Sequence, residues 1–185
     1  MRIRPAVVGD AGSMAKVKVD TWRSAYSGIV PPAYLESLSY EETAGAWSRG
    51  ILKTRSPDVA AYVAEEADNQ IVGIAMCGPA DDPERSGVGQ VYVLYVLPQF
   101  QRRGAGRGLM RTCGRHLVAR GMSSLVVCVL KDNPYRGFYD GLGGVLAGEK
   151  QIQIGSASLP EVIYQWNDIR EASWMQPEHT RHPPR

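Results

Sequence analysis

An apolar run ends at Val96, and the chain continues Leu97-Pro98-Gln99-Phe100-Gln101-Arg102-Arg103-Gly104-Ala105-Gly106-Arg107-Gly108 before a helical pattern begins. Successive backbone N–H groups in a glycine-rich turn, set against the unpaired donors and positive end of a helix N-terminus, bind phosphate or pyrophosphate. Glycine suits such a loop because a Cβ would block positive φ angles and the close approach of a ligand. Arg102, Arg103 and Arg107 add permanently charged forks that take phosphate oxygens in pairs. Two familiar phosphate loops are excluded by the letters. No Gly-Lys-Ser/Thr follows at Walker spacing, and Leu109 stands where a dinucleotide fingerprint needs its last glycine.

The pattern that remains, Gln101-x-x-Gly104-x-Gly106 behind an apolar run over 91–96, resembles the coenzyme A loop of the GNAT superfamily of acyl-CoA-dependent N-acyltransferases. A second block, Asn133-Pro134-Tyr135-Arg136-Gly137-Phe138-Tyr139-Asp140-Gly141-Leu142-Gly143, is similar to the family's Asn...Phe-Tyr-x-x-Leu-Gly segment. Strand, glycine loop, helix, a second strand over 124–130 and this block follow in the family's order and together span 90–144. The stretch 21–31 also looks like the first-helix region of many bacterial members.

The resemblance implies an α/β fold of the α+β type. Its sheet is mixed, largely antiparallel and six- to seven-stranded, with helices on both faces and central strands splayed at an acetyl-CoA site. It implies acetyl-CoA as co-substrate, no metal, and transfer to a primary amine by direct attack in a ternary complex. An amine attacks a thioester only as the free base, so such an enzyme must remove a proton, stabilise an oxyanion and protonate the leaving thiolate. By the same resemblance Leu94, Tyr95 and Val96 contact the pantetheine arm and the acyl carbonyl, with an amide at or near Val96 as oxyanion donor. Gln101, Arg102, Arg103, Gly104, Ala105, Gly106 and Arg107 cradle the phosphates. Asn133 reaches the pantetheine, caps the short helix after it, or does both. Tyr139 is the general acid, a role that suits a phenol with pKa near 10.

Two positions depart from the family. Gln90 stands where a glutamate is common, and an amide is no base. Asp81, Asp82 or Glu84, a water chain ordered by Gln90 and Tyr92, or no dedicated base at all remain open in its place. Gly144 stands where a large apolar residue is usual, which implies looser packing there. The missing glutamate keeps a second reading alive, a catalytically silent acyl-CoA sensor or partner-binding module. The acceptor is open among small metabolites, antibiotic-like amines and protein amines, and Trp22, Tyr26, Tyr34 and Glu36 are cleft candidates, with core anchoring the plainer role for Trp22.

The elements that must position these residues are legible in outline. With 185 residues, 44% hydrophobic and 22% charged, the chain reads as one domain over 1–170 and a mobile tail over 171–185. A net charge of +2 argues against nucleic acid, and the absence of a long apolar run or an apolar leader argues against membranes and for a cytoplasmic protein. The three cysteines, Cys77, Cys113 and Cys128, lie in apolar stretches and read as buried thiols. His179 and His182 on the tail read as solvated rather than metal-binding. A strand over 3–7 leads to a helix that Asp10 can cap, and proline at 31 and 32 starts another helix. A hairpin of strands is expected over 59–65 and 70–77, then a rim loop over 78–89. Beyond the glycine loop, a helix over 104–120 stopped by Gly121 presents Leu109, Met110, Cys113 and Leu117 on one apolar face, and a closing hairpin ends near Trp166. A homodimer through that hairpin or the tail is compatible with this layout.

Overall fold

The computed structural model describes residues 1–54 and 56–176. The strands are β1 (Arg2–Pro5), β2 (Ala60–Glu65), β3 (Ile71–Pro79), β4 (Gly89–Val96), β5 (Leu125–Leu130), β6 (Val145–Ile154) and β7 (Ala157–Trp166). They form one seven-stranded sheet in the order β1-β2-β3-β4-β5-β7-β6, antiparallel except where β4 meets β5. The helices are α1 (Ala11–Ala25), α2 (Pro32–Ser37), α3 (Tyr40–Arg49), α4 (Ala105–Ala119) and α5 (Gly137–Asp140). This is the expected class and strand count.

β3 reads Ile71-Val72-Gly73-Ile74-Ala75-Met76-Cys77, apolar on both faces, because both faces are covered. Ile74 and Met76 pack with Met14 and Val17 of α1, while Val72, Ala75 and Cys77 pack with Leu109, Met110, Cys113 and Leu117 of α4. The apolar stripe expected on α4 is thus the core on its side of the sheet, and Gly121 ends the helix at φ +81°. Among the described residues no helix is long and apolar enough to cross a membrane.

Two features of β4 set up the site. Its register against β3 slips between Met76 opposite Val93 and Cys77 opposite Val91, which leaves Tyr92 as the extra residue of a β-bulge. Its parallel pairing with β5 holds only at Gly89 with Leu125 and Gln90 with Val126, so from Val91 onward the two strands diverge. Gly89 is confined to this junction by Leu117, whose Cδ1 would lie 2.7 Å from an added Cβ.

Three expectations need correction. Asp10 precedes α1 without capping it through its side chain. Its carboxylate accepts instead from Arg4 at 2.7 and 3.0 Å and from the Val7 amide at 2.8 Å, tying the end of β1 to the start of α1. Gly144 does not loosen the packing, because Trp166 takes the space from the neighbouring strand. An added Cβ would lie 2.7 Å from the indole Cζ2, and the indole N–H donates to Leu142 O at 2.9 Å. The stretch 171–176, expected within a mobile tail, folds back as a 3₁₀ turn at Ser173–Met175 that packs on α4 at Gly114. Trp174 is 1% exposed there, edge-on to Trp166 and against Gly114, where any Cβ would meet its ring at 2.9 Å. His179 and His182 fall outside the described residues.

Candidate active site

The gap between β4 and β5 opens into a cleft of about 620 Å³, within the range of sites for small-molecule ligands. Leu94, Tyr95 and Val96 form one wall and Val127, Cys128 and Val129 the other. Leu97 N–H donates to Val72 O at 2.9 Å, so that residue's backbone faces β3. The alternation of a strand then turns the backbone groups of Leu94 and Val96 away from β3 and toward the gap. Tyr95 has its backbone turned to β3 and offers the cleft its side chain. The carbonyl of Val96 accepts from Gln101 Nε2 at 3.1 Å, which leaves the Val96 amide as the donor facing the gap. Gln101 therefore braces the glycine loop onto the end of β4.

The loop reaches α4 through two left-handed residues, Arg102 at φ +58° and Gly104 at φ +90°. The first i→i−4 hydrogen bond of the helix runs from Gly108 N–H to Gly104 O at 2.9 Å. The amides of Ala105, Gly106 and Arg107 are thus without helical partners, at the positive end of the helix. Arg102, Gly104, Gly106 and Arg107 line the cleft together with Gln101. Ala105 is buried and offers only its amide, and Arg103 turns aside to lie over the Phe100 ring at 5.4 Å. Gly106 gives its face to Phe138, whose ring would lie 3.3 Å from an added Cβ.

The far wall comes from the second motif. Asn133 Oδ1 accepts from the Tyr135 amide at 2.8 Å, and its Nδ2 donates to Tyr26 Oη at 3.0 Å. The first bond is an Asx turn ahead of α5, not a cap of that helix, and the second ties β5's exit to α1 across the cleft. Tyr139 is buried between Phe138 and Tyr164, with ring centroids at 5.3 and 5.4 Å, and lines the cleft. Its hydroxyl has no hydrogen-bond partner among the described residues. Burial, then the neighbouring Tyr95 and Tyr164, push its pKa well above that of a free phenol. Burial likewise pushes Tyr95 up to about 12 and raises Tyr26 further. Three protonated phenols therefore converge on one cleft.

Several expected residues are not brought together. Gln90 is turned to the rim, where its Oε1 accepts from the Asp81 amide at 3.1 Å. Asp82 accepts from the Glu84 amide and pairs with Arg85 at 3.3 Å. Asp81, Asp82 and Glu84 are exposed and none of them lines the cleft. Of the four acceptor-side candidates only Tyr26 lines it, joined by Thr21 and Ala25 of α1. Trp22 packs edge-on to Tyr26 at 4.9 Å and against Tyr34 at 5.9 Å, and Glu36 is exposed. Thr21 and Cys128 were beyond sequence reasoning. Their membership depends on which face of α1 and of β5 meets the gap, and the only signal was their alternation with core positions.

The described chain resembles known proteins along most of its length. A family model described as the Acetyltransferase (GNAT) family matches residues 19–143. The uncharacterized N-acetyltransferase YuaI of Bacillus subtilis is 34% identical over 167 residues, covering 90% of this chain and 93% of that protein. Ribosomal-protein-alanine N-acetyltransferase from Brucella melitensis shares the fold with a TM-score of 0.69 at 19% identity, over 90% of this chain and 99% of its own. YncA of Salmonella typhimurium, a putative acetyltransferase solved with its cofactor acetyl-CoA, does so with a TM-score of 0.67 at 17% identity, over 90% and 92% of the two chains. The bulged and splayed central strand, the amide-rich turn into α4 and the matched family model lead to one conclusion: the chain belongs to the GNAT family of acetyltransferases.

Proposed function

We propose that this protein transfers the acetyl group of acetyl-CoA to a primary amine by direct attack in a ternary complex, with Tyr139 as general acid. The observation that carries the reading is the convergence, in one cleft, of free amides at the α4 N-terminus, a gap-facing Val96 amide and an unpartnered phenol. The acetyl-CoA bound to the Salmonella neighbour supports the choice of donor.

The residues divide the work by position. Amides of Ala105 to Arg107, with the Arg102 and Arg107 guanidiniums, suit the pyrophosphate. The gap edge of β4 replaces the missing β5 ladder with contacts to an extended amide-bearing arm. The Val96 amide is aimed where negative charge develops on the acyl oxygen. As the free-base amine bonds the acyl carbon, the C–S bond breaks and the Tyr139 hydroxyl gives its proton to the departing thiolate sulfur, while the nitrogen sheds its extra proton to water, from which the Tyr139 oxygen is reprotonated, so that amide and thiol are the products. A phenol held above its ordinary pKa stays protonated at neutral pH, the form a proton donor needs.

No carboxylate lines the cleft, and this favours a second reading, a coenzyme-binding module without turnover. Thermal melting with acetyl-CoA, coenzyme A, ATP and NADH, followed by free-thiol release over a panel of amines, separates the two. The enzyme reading expects several degrees of stabilisation by the two coenzymes alone and thiol release with at least one amine. Stabilisation without release from any amine supports the binding module, and no coenzyme shift overturns both.

A further inference from the structure

Between Glu84 and Asp132 the chain carries no acidic residue, yet six arginines fall between positions 102 and 120. Arg102 and Arg107 line the cleft, and Arg103 lies on Phe100. Arg111 and Arg115 have no part in the cleft. Among the described residues neither pairs with a carboxylate, as Arg4, Arg85 and Arg170 do.

Packing on three sides of α4 decides where these arginines stand. Leu109, Cys113 and Leu117 belong to the core, Gly108 abuts Ile3 of β1, and Gly114 abuts Trp174 and Met175. At about 100° of rotation per residue, one window of the helix is left open, and positions 107, 111 and 115 fill it in a row. Arg107 and Arg115 are exposed and Arg111 is half-buried. The row is about 12 Å long and one side chain wide, and it begins at the phosphate cradle.

This row works against the helix that bears it. Like charges four residues apart repel, and a cation in the first turn opposes the positive end of the helix. α4 has no acidic residue to offset either effect. Charge that is costly to the fold and unmatched within it points to an anion outside. α4 also carries no Phe, Tyr or Trp to stack on bases, and the row is flanked by apolar residues, so a polynucleotide fits it poorly. A helix with a carboxylate at every fourth position has the same repeat of about 6 Å as the row. Guanidinium forks take such carboxylates in pairs of hydrogen bonds.

We propose that Arg107, Arg111 and Arg115 form a docking surface for an acidic helix of a partner protein, laid along α4 beside the phosphate cradle. The surface is independent of the reaction in the cleft.

The test is fluorescence anisotropy with a synthetic alanine-based peptide bearing glutamate at every fourth position, held helical by a neutral lactam bridge on its opposite face and tagged with a neutral dye. Its controls are a bridged peptide of the same composition with the glutamates scrambled, and dodecauridylate RNA. Arg107 is left in place because it belongs to the cradle, and the variant is Arg111→Gln with Arg115→Gln. The row peptide should bind wild type saturably, about fivefold or more tighter than the scrambled peptide, and about tenfold more weakly to the double variant. Its binding should also weaken severalfold between about 50 and 200 mM salt. The double variant should melt at or above the wild-type temperature, because the substitutions relieve repulsion. No saturable binding, a scrambled peptide within twofold of the row peptide, or a double variant that binds as wild type does overturns the proposal. Tighter binding of dodecauridylate than of the row peptide overturns it in favour of a nucleic acid. A double variant that melts several degrees lower overturns it by giving the row a structural role inside the fold.

Discussion

Tyr139 is the residue on which the proposed chemistry turns. Replacing it with phenylalanine keeps the ring between Phe138 and Tyr164 and removes only the hydroxyl. Steady-state thiol release should fall about 100-fold or more in kcat, the ordinary worth of a positioned general acid. The melting shift induced by coenzyme A should stay within about a degree of wild type, since the hydroxyl has no structural partner to lose. A fall in kcat of less than threefold would remove Tyr139 from the acid role. The same burial has a consequence for pH. The phenols of Tyr26, Tyr95 and Tyr139 all ionise at higher pH in the fold than in the unfolded chain, where the value is about 10. Below pH ~10 both states are protonated and stability is at its full value. As pH rises further the unfolded chain releases protons first, so stability declines up through about 12, where Tyr95 titrates. Urea midpoints between pH 8 and 11 should fall above pH ~10, and less steeply in Tyr139→Phe. An equal slope in the two proteins would show that Tyr139 does not share in the effect.

At the scale of elements, the motifs that carry backbone chemistry were readable and the faces of elements were not. Glycine at 104 and 106 announces a turn of unusual φ and close approach, because no other residue type satisfies both demands at once. The bulge at Tyr92 leaves no such mark, since any residue adopts it and only the register against β3 reveals it. Gly144 misled in the opposite sense. Its missing side chain is compensated by Trp166 from β7, a partner that local spacing cannot supply. Gly144→Ala should therefore be destabilising by about 1–3 kcal/mol, because the indole and the Tyr139 carbonyl leave no room for a methyl group. Urea unfolding checks this, and a neutral or stabilising alanine would mean that Trp166 moves aside freely.

Across the whole molecule, class and strand count followed from the letters, whereas the close of the chain did not. A polar stretch with Glu171, Ser173 and Gln176 reads as tail, yet a single indole anchors it to α4. Trp174→Ala should be destabilising by about 3–5 kcal/mol, with a urea midpoint well below wild type and an unchanged m-value. A loss under 1 kcal/mol would mean that the 3₁₀ turn peels away at little cost.

The two-residue junction between β4 and β5 also bears on how stiff this molecule is. Seven strands make two boards, β1 to β4 and β5 with β7 and β6, joined in the sheet along a seam only Gly89 and Gln90 wide. A ligand lying in the divergence beyond that seam would stand in for absent ladder bonds, so the loaded protein should be stiffer across its width than the emptied one. Product departure and loosening of the boards would then be a single event, tying the rate of the proposed turnover to how readily the sheet flexes about its own midline.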